Sequence, residues 1–155
     1  NRLVGYRSVT LPGFYEIDPN TGVATLLAAT PGSTDFGGLD AVGNRLFGLN
    51  DGTGLSGRGL YDIDMNSNTY SLLAPYPGGD ADIDGLAIGG GRAYWVNDVG
   101  SQQILVYNLD PGVFEAPLAN PFGTGGIFSA GAFVPAPGAG AVVALSGLAI
   151  LRRRR

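Results

Sequence analysis

The sequence predicts an all-β fold made of repeated units of about 46 residues, each containing four short strands. Composition is the first indication, because the 155 residues include 27 Gly and 10 Pro and only 14% are charged. Such a composition favours many turns and short strands over helices. The second indication is an internal repeat, and the third is the alternation of apolar and polar residues within it.

One repeated element is a strand, a turn and a second strand. Residues 14–28 align with residues 60–74 without a gap, at an offset of 46. A third, weaker copy covers residues 104–119, where Asp110 matches Asp18 of the first copy. The turn that follows Asp18 contains Pro, Asn and Gly, which supply the backbone angles that a hairpin turn needs.

A second element repeats between the copies of the first. Residues 34–51 match residues 81–98 at an offset of 47, and residues 1–6 match residues 44–49. Together the two elements make a unit with four strands. In the middle unit these strands are predicted at 38–42, 45–49, 60–64 and 69–74. Four strands at this period are typical of a β-propeller, in which each unit forms one blade.

The repeats divide the chain into a body, residues 1–133, and a tail, residues 134–155. The units of the body cover residues 1–29, 34–75, 81–119 and, in part, 125–133. The first unit lacks its first strand, so the body amounts to roughly three blades, whereas propellers usually have about four to eight. Because blades cannot bury their faces alone, we expect further units upstream. Ring closure at three blades and an open, twisted stack of sheets are the alternatives.

The hairpin turn at residues 18–22 resembles the turns of WD40-like and YVTN-type repeats in secreted bacterial proteins. The resemblance implies a β-propeller body that is secreted. It implies no particular activity.

The tail combines a proline motif, an apolar run and a basic end. Residues 138–151 are uncharged, and as a helix they would be about 21 Å long at roughly 1.5 Å per residue. A bilayer core is about 30 Å thick and needs about 20 apolar residues, so the run is short for a lasting span. A buried carboxyl-terminal helix with a solvated basic end is the alternative.

The residues of the tail are assigned as follows. The proline motif consists of Val134, Pro135, Ala136, Pro137 and Gly138. The apolar side chains of the predicted membrane helix are Ala139, Val142, Val143, Leu145, Leu148, Ile150 and Leu151. The cluster that the positive-inside rule places in the cytoplasm is Arg152, Arg153, Arg154 and Arg155.

This order of parts resembles the PEP-CTERM sorting signal of bacterial proteins, over 22 of the 155 residues. The usual Pro-Glu-Pro is here Pro135-Ala136-Pro137, which resembles a recurring VPAPG variant of the signal. The resemblance implies that an exosortase-type enzyme is a partner and cuts the chain near the proline motif. It also implies an inner-membrane intermediate in the cell envelope, followed by a mature body at the cell surface or in the extracellular matrix.

The chain begins with Asn1 and carries no secretory signal peptide, which an exosortase substrate needs for export. We therefore expect either that a signal peptide has been removed or that the chain is a piece of a longer protein.

Oxygen-bearing side chains in the loops are the candidate metal ligands. Asp80, Asp82 and Asp84 alternate in sequence, and a loop of this kind can wrap a Ca²⁺ ion. Two further pairs recur after the second strand of their units, namely Asn50 with Asp51 and Asn97 with Asp98. The alternative for all of these residues is that they close turns by hydrogen bonding to the backbone.

An arginine recurs at the start of the second strand of each unit, as Arg2, Arg45 and Arg92. This repetition favours a structural pairing with a neighbouring carboxylate or carbonyl, and ligand binding is the alternative. The aromatic residues predicted to pack between blades are Tyr6, Tyr15, Tyr61, Tyr94 and Trp95.

The reactive side chains limit the chemistry. The sequence has no Cys, no His and no Lys, which excludes a Ser-His-Asp triad, a thiol nucleophile and a Schiff base. Residues 1–151 carry five Arg against 13 acidic residues, a formal charge of −8, which disfavours nucleic-acid binding. We expect a non-enzymatic body without a cofactor, active in adhesion, matrix structure or ligand binding. The alternative is a Ca²⁺-dependent propeller hydrolase or lyase, with its chemistry on Asp-rich loops or missing blades.

Overall fold

The computed structural model consists of strands, turns and loops, and no helix occurs in the part of the chain that it describes. The described residues are 2–78, 83, 85–96, 103–121, 131–132 and 134. Within these ranges, eleven strands form three antiparallel sheets. The prediction of an all-β fold is confirmed.

The first sheet has three strands that follow one another in sequence and in space. They are β1 (Leu3–Arg7), β2 (Gly13–Ile17) and β3 (Ala24–Ala29). Among the described residues, β1 pairs with β2 alone and therefore forms an edge of the sheet.

The second sheet has four strands, also in sequence order. They are β4 (Phe36–Val42), β5 (Arg45–Asn50), β6 (Gly59–Asp64) and β7 (Thr69–Pro75). The four strands predicted for this unit are confirmed to within two residues at each end. Alternation along β6 places Leu60 on one face and Tyr61 and Ile63 on the other, since the two groups belong to different core clusters.

The third sheet repeats the same order on a smaller scale. Its strands are β8 (Gly85–Gly89), β9 (Arg92–Val96), β10 (Ile104–Asn108) and β11 (Val113–Phe114). Each strand pairs antiparallel with the next, as in the second sheet.

The match of Asp110 with Asp18 in the third copy of the hairpin is wrong by two residues. Tyr107 lies opposite Ala93 in β9, just as Ile63 lies opposite Leu46 in β5. Asn108 therefore takes the place of Asp18 and accepts a hydrogen bond from the backbone N–H of Asp110 at 3.3 Å. A shift of two residues keeps every side chain on the same face, so alternation in the sequence does not reveal it.

The first two sheets share a β-bulge at matched positions. Between β2 and β3 the register shifts after Phe14, and between β6 and β7 it shifts after Leu60. Leu27 and Leu73 are the extra residues, and both stand in the sequence Leu-Leu-Ala. Because bulges re-aim a strand, a bulge at the same place shows that the two units repeat in backbone geometry as well as in sequence.

The sheets pack face to face, with the second sheet between the other two. We call the face of a sheet that points to the preceding sheet its upstream face, and the opposite one its downstream face. The cluster between the first and second sheets is built around Phe14, Phe36, Tyr61 and Ile63. The cluster between the second and third sheets includes Phe47, Leu49, Leu60, Ala74, Leu86, Ile88, Trp95 and Tyr107.

The strands β4 and β8, which begin the second and third sheets, lie side by side. The backbone N–H of Ile88 donates a hydrogen bond to Oδ2 of Asp40 at 2.6 Å and so ties the two sheets together. This arrangement is an ordered stack of three sheets. A closed ring is not among the features of the described residues.

The tail lies almost wholly outside the described residues. Of its proline motif only Val134 is described, and this residue is 81% exposed and outside any strand. Gly131 and Ala132, the described part of the predicted partial unit, are not in a strand either. The predicted helix at 138–151 and the arginine cluster lie outside the described ranges, within which no helix is long and apolar enough to cross a membrane.

Candidate functional site

The recurring arginines pair with carboxylates, as the repeat predicts. Nη2 of Arg2 lies 2.9 Å from Glu16, and Nη2 of Arg45 lies 2.6 Å from Asp62. Glu16 and Asp62 hold matched positions in β2 and β6, directly beside the strand that each arginine precedes or begins. The structural interpretation of these arginines is therefore confirmed for the first two sheets. All four side chains are partly exposed, so each pair contributes little to stability.

The third sheet also has an arginine–carboxylate pair, but its carboxylate comes from a different position in the sheet. At the position of Asp62, β10 carries Val106, which cannot pair with Arg92. Nε of Arg92 instead donates to Glu115 at 2.9 Å, and the side chain of Asn108 donates to the same carboxylate at 2.8 Å. Glu115 follows β11, and its backbone N–H donates to the carbonyl of Val106. The third sheet thus keeps an arginine–carboxylate pair, with the carboxylate supplied by the residue after β11 instead of by β10.

A groove of about 420 Å³ opens between the first and second sheets, next to these ion pairs. Arg2, Asp40 and Arg45 supply its charged lining, and Leu39 and Met65 are among its apolar residues. The volume lies within the range of about 300–1,000 Å³ that is usual for small-ligand pockets. Each of the three charged groups already has a partner within the fold. The groove is therefore a mostly apolar cleft whose charges are neutralised or hydrogen-bonded.

Asn50, a candidate metal ligand, hydrogen-bonds to the backbone of a loop. Its side chain is fully buried, and Oδ1 accepts from the N–H groups of Asp35 at 2.9 Å and Gly52 at 3.2 Å. Its Nδ2 donates to the carbonyls of Gly52 at 3.0 Å and Gly57 at 2.8 Å. Both ends of the amide are thus used by the loop between β5 and β6. The alternative of turn closure is confirmed for this residue.

The other candidate metal ligands are placed differently. Asp51 lies 3.5 Å from Nε of Arg58, which is an ion pair within the same loop. Asp80, Asp82 and Asp84 lie outside the described residues, as do Asn97 and Asp98. Within the described ranges, no group of three acidic, His or Cys side chains is placed to hold a metal ion. The Ca²⁺ prediction for the residues at 80–84 stays a prediction.

The aromatic residues predicted to pack between blades include some that lie between sheets and one that does not. Tyr6 and Tyr61 pack in the cluster between the first two sheets, where their rings lie 5.2 Å and 5.9 Å from that of Phe36. Trp95 is fully buried between the second and third sheets. Tyr15 is different, because its ring lies on the outer face of the first sheet. Its hydroxyl donates to the carbonyl of Leu11 at 2.8 Å.

Asp40 is a residue with a structural role that repeat comparison does not find. Its carboxylate accepts a hydrogen bond from the backbone N–H of Ile88, across the boundary between the second and third sheets. The matched position in the third sheet is Ala87, so the acidic residue occurs once and no repetition marks it. Contacts of this kind depend on the stacking of sheets.

The pKa shifts that the structure produces all point away from neutral pH. Burial raises the pKa values of Tyr6, Tyr61 and Tyr70 above the ordinary 10.0. A hydrogen bond from Arg92 lowers the pKa of Glu115, and that carboxylate raises the pKa of Arg92. A general acid or base works best with a pKa close to the working pH. These groups therefore keep one protonation state at pH 7.

The turn aspartates also have lowered pKa values. The backbone N–H of Asn20 donates to Asp18 at 2.7 Å and lowers the pKa of this carboxyl below its ordinary 3.8. The matched Asp64 has a pKa lowered first by the side chain of Ser67 and then by the backbone N–H of Asn66. These bonds favour the ionised form, which needs no metal or ligand for its stabilisation.

We expect the substitution Asp64→Asn to flatten the acid side of the stability curve. The folded-state pKa of Asp64 lies below 3.8, so its contribution is present above that pH and is lost as the pH falls through the folded-state pKa. Asparagine keeps the acceptor oxygen and does not titrate. Melting temperatures measured between about pH 5 and pH 2 should therefore fall less steeply in the variant than in the wild type.

The control for this measurement is Asp64→Ala, which removes the acceptor at every pH. Asp64→Ala should lower the melting temperature at neutral pH, whereas Asp64→Asn should keep a melting temperature close to that of the wild type at this pH. Parallel curves for the wild type and Asp64→Asn would show that this carboxyl does not contribute to acid unfolding.

The comparisons with known proteins add no family to this description. A scan of protein-family models and a search of curated proteins found no match to this chain.

Proposed function

We propose that this chain is an exported protein of the cell surface or extracellular matrix, with a non-enzymatic binding, adhesive or structural body. Its carboxyl-terminal tail is the sorting signal. An exosortase-type enzyme recognises this signal at the inner membrane and cuts the chain near the proline motif. The single observation that carries the proposal is the order of the three parts in residues 134–155, a proline motif, an uncharged run and four arginines. A short apolar segment with a basic end holds its charges on the cytoplasmic side.

We also propose that the three sheets are blades of a β-propeller. The equal strand order, the shared bulge and the side-by-side position of β4 and β8 support this interpretation. Propellers stack four-stranded blades around an axis that their first strands line. In such a body, the loops and grooves between blades bind a surface or matrix ligand. The groove beside Arg2 and Arg45 is a candidate cleft for that role.

The tail is tested by expression behind an export signal peptide in a bacterium that carries an exosortase. Replacing all four residues of the cluster at 152–155 with Gln, or both Pro135 and Pro137 with Ala, should leave most of the protein as an uncut, membrane-associated precursor. The wild type should yield a mature body that mass spectrometry shows to end near the proline motif.

Two controls separate sorting from folding. Arg7→Gln removes an exposed charge from the body and should leave processing unchanged. The wild type in a strain without the exosortase should accumulate as the same precursor. Normal release of the tail variants, or a wild-type product with an intact carboxyl end, would exclude this function for the tail.

A further inference from the structure

The upstream face of the first sheet is apolar, and in the described structure no sheet covers it. Its apolar residues include Leu3, Gly5, Tyr15, Ile17 and Leu26, which share a face because Leu3 is paired with Ile17, and Tyr15 with both Gly5 and Leu26. Arg7, at the end of β1, lies on the same face. Leu3 is 52% and Leu26 is 44% exposed. Large apolar side chains grouped on one sheet face are a feature of contact surfaces.

The upstream face of the second sheet carries the same five residue types at the same positions. They are Leu46, Gly48, Tyr61, Ile63 and Leu72. The pairing is also the same, since Leu46 is opposite Ile63, and Tyr61 is opposite both Gly48 and Leu72. The two faces therefore share these five positions, and they differ where the first sheet has Arg7 and Ala24 and the second has Asn50 and Tyr70.

The two copies differ in what lies on them. On the second sheet, Tyr61 is 0% and Ile63 is 4% exposed, because the downstream face of the first sheet covers them. That covering face presents Val4, Tyr6 and Phe14. On the first sheet, the matched Tyr15 and Ile17 are only partly buried. The matched residues are thus buried in an interface on the second sheet and lie without a covering sheet on the first, in the described structure.

The uncovered copy already has the local geometry of the covered one. The hydroxyl of Tyr61 donates to the carbonyl four residues earlier, in Gly57, at 2.7 Å. The hydroxyl of Tyr15 donates to the carbonyl four residues earlier, in Leu11, at 2.8 Å. The uncovered tyrosine thus already makes the hydrogen bond that its covered counterpart makes, which lowers the cost of ordering this side chain on docking.

A glycine keeps room on both faces. A Cβ at Gly48 would lie 2.6 Å from Cδ1 of Phe36, because the ring of Phe36 on the first strand β4 sits against this glycine. Gly5 holds the matched place in β1, and a Cβ there would meet only Cδ1 of Ile17, at 3.1 Å. The space for an aromatic ring on a first strand is therefore present beside β1, whose edge is open in the described structure.

The other end of the stack is different. On the downstream face of the third sheet, Ala87 and Val96 are 5% and 3% exposed. Gly131 lies against this face, since a Cβ placed on it would be 3.4 Å from Cγ2 of Val96 and 3.7 Å from Cβ of Ala87. A described residue that follows the third sheet thus lies against its downstream face. No sheet of the described structure lies against the upstream face of the first sheet.

We propose that the upstream face of the first sheet is a docking surface for one further sheet of the same repeat, whose connecting strand pairs with the open edge of β1. The occupant presents bulky apolar and aromatic side chains like those of Val4, Tyr6 and Phe14, because such a face covers the identical residues of the second sheet. This inference goes beyond the proposed function and does not depend on export or processing.

The occupant can be supplied from the chain itself. Residues 1–3 and residues 44–46 both read Asn-Arg-Leu. A second copy of residues 1–43 can therefore be placed before Asn1, and the new junction then has the same sequence as the natural junction between residues 43 and 44. The added segment brings a three-stranded sheet with the required downstream face and a first strand for β1. The whole chain of 155 residues is kept behind it.

Docking is measured with a single thiol, because the sequence contains no Cys. Leu26→Cys in the original copy places the thiol on the face, and the reaction with a maleimide is followed with and without the added segment. Docking should slow this reaction about tenfold or more, since a covered thiol reacts only when the sheets separate. Val113→Cys, a site that is 52% exposed on the third sheet, should react at the same rate in both chains.

A matched control carries Tyr6→Asp and Phe14→Asp in the added copy alone, which destroys the covering face. It should leave the thiol at residue 26 as reactive as in the original chain. Equal rates with and without the intact added segment would overturn the proposal, and so would digestion of that segment by a protease at the rate of an unfolded peptide. Protection in the original chain that rises with protein concentration, together with a dimer in sedimentation, would overturn it in favour of a second copy as occupant.

Discussion

Replacing Asn50 with Ala is expected to lower the free energy of unfolding by about 3–5 kcal/mol, because several backbone groups around this buried amide lose their partner at once. The amide of Asn50 is fully buried and holds Asp35, Gly52 and Gly57 from three sides. Replacement of the side chain by a methyl group leaves three carbonyls of the loop between β5 and β6, and the N–H groups of Asp35 and Gly52, without that partner. Urea unfolding followed by the fluorescence of the one Trp residue measures the effect.

Asn44→Ala is the control for this prediction, because Asn44 is exposed in the turn between β4 and β5. It should change the unfolding free energy by about 0.5 kcal/mol or less. Asn50→Asp separates the two halves of the amide, because it keeps the acceptor and removes the donor to Gly57. It should also destabilise strongly, since it introduces a buried charge. A loss below about 1 kcal/mol for Asn50→Ala would show that the loop does not depend on this side chain.

The second large effect is expected at Tyr61, where replacement with Ala should cost roughly 3–5 kcal/mol. The ring fills the centre of the cluster between the first two sheets, and the hydroxyl donates to Gly57 and accepts from the N–H of Ser56. Tyr61→Phe removes only the hydroxyl and should cost about 1 kcal/mol. The difference between the two variants measures the packing of the ring.

The matched control is Tyr15→Ala, the same change at the same position of the preceding unit. In the chain of 155 residues it should cost about 1 kcal/mol, because no sheet of the described structure covers this partly buried ring and its hydrogen bond to Leu11 is lost. Equal losses at Tyr15 and Tyr61 would contradict the difference between the two faces. When a further unit is placed upstream, the cost at Tyr15 should rise towards that at Tyr61.

Asn50 and Tyr61 share one acceptor, the carbonyl of Gly57, at 2.8 Å and 2.7 Å. Their substitutions should therefore not be additive, and the double variant Asn50→Ala with Tyr61→Phe should differ from the sum of the single ones by about 0.5 kcal/mol or more. The loop between β5 and β6 is thus tied to its sheet by a polar and an aromatic side chain together.

The strands and the faces of the middle unit could be predicted because they are local. Alternation along residues 60–64 separates Leu60 from Tyr61 and Ile63, and the turns on either side end the strands. The arginine pairs could be predicted in kind, since a charge that recurs in every unit needs a recurring partner. The partner of Arg92 could not, because the sequence does not tell that Glu115, the residue after β11, supplies the carboxylate that Val106 lacks.

The sequence by itself determined the all-β class, the repeat, the ends of the strands in the middle unit and the three-part tail, because these depend on residues close together in the chain. The tertiary structure decided which face of each sheet is covered, why Asn50 is a loop anchor, and how Asp40 joins two sheets. It also separated Tyr15 from Tyr61, which are indistinguishable in sequence. The physical reason is that burial depends on the neighbouring sheet, and the identity of that neighbour is set by contacts between residues far apart in the chain.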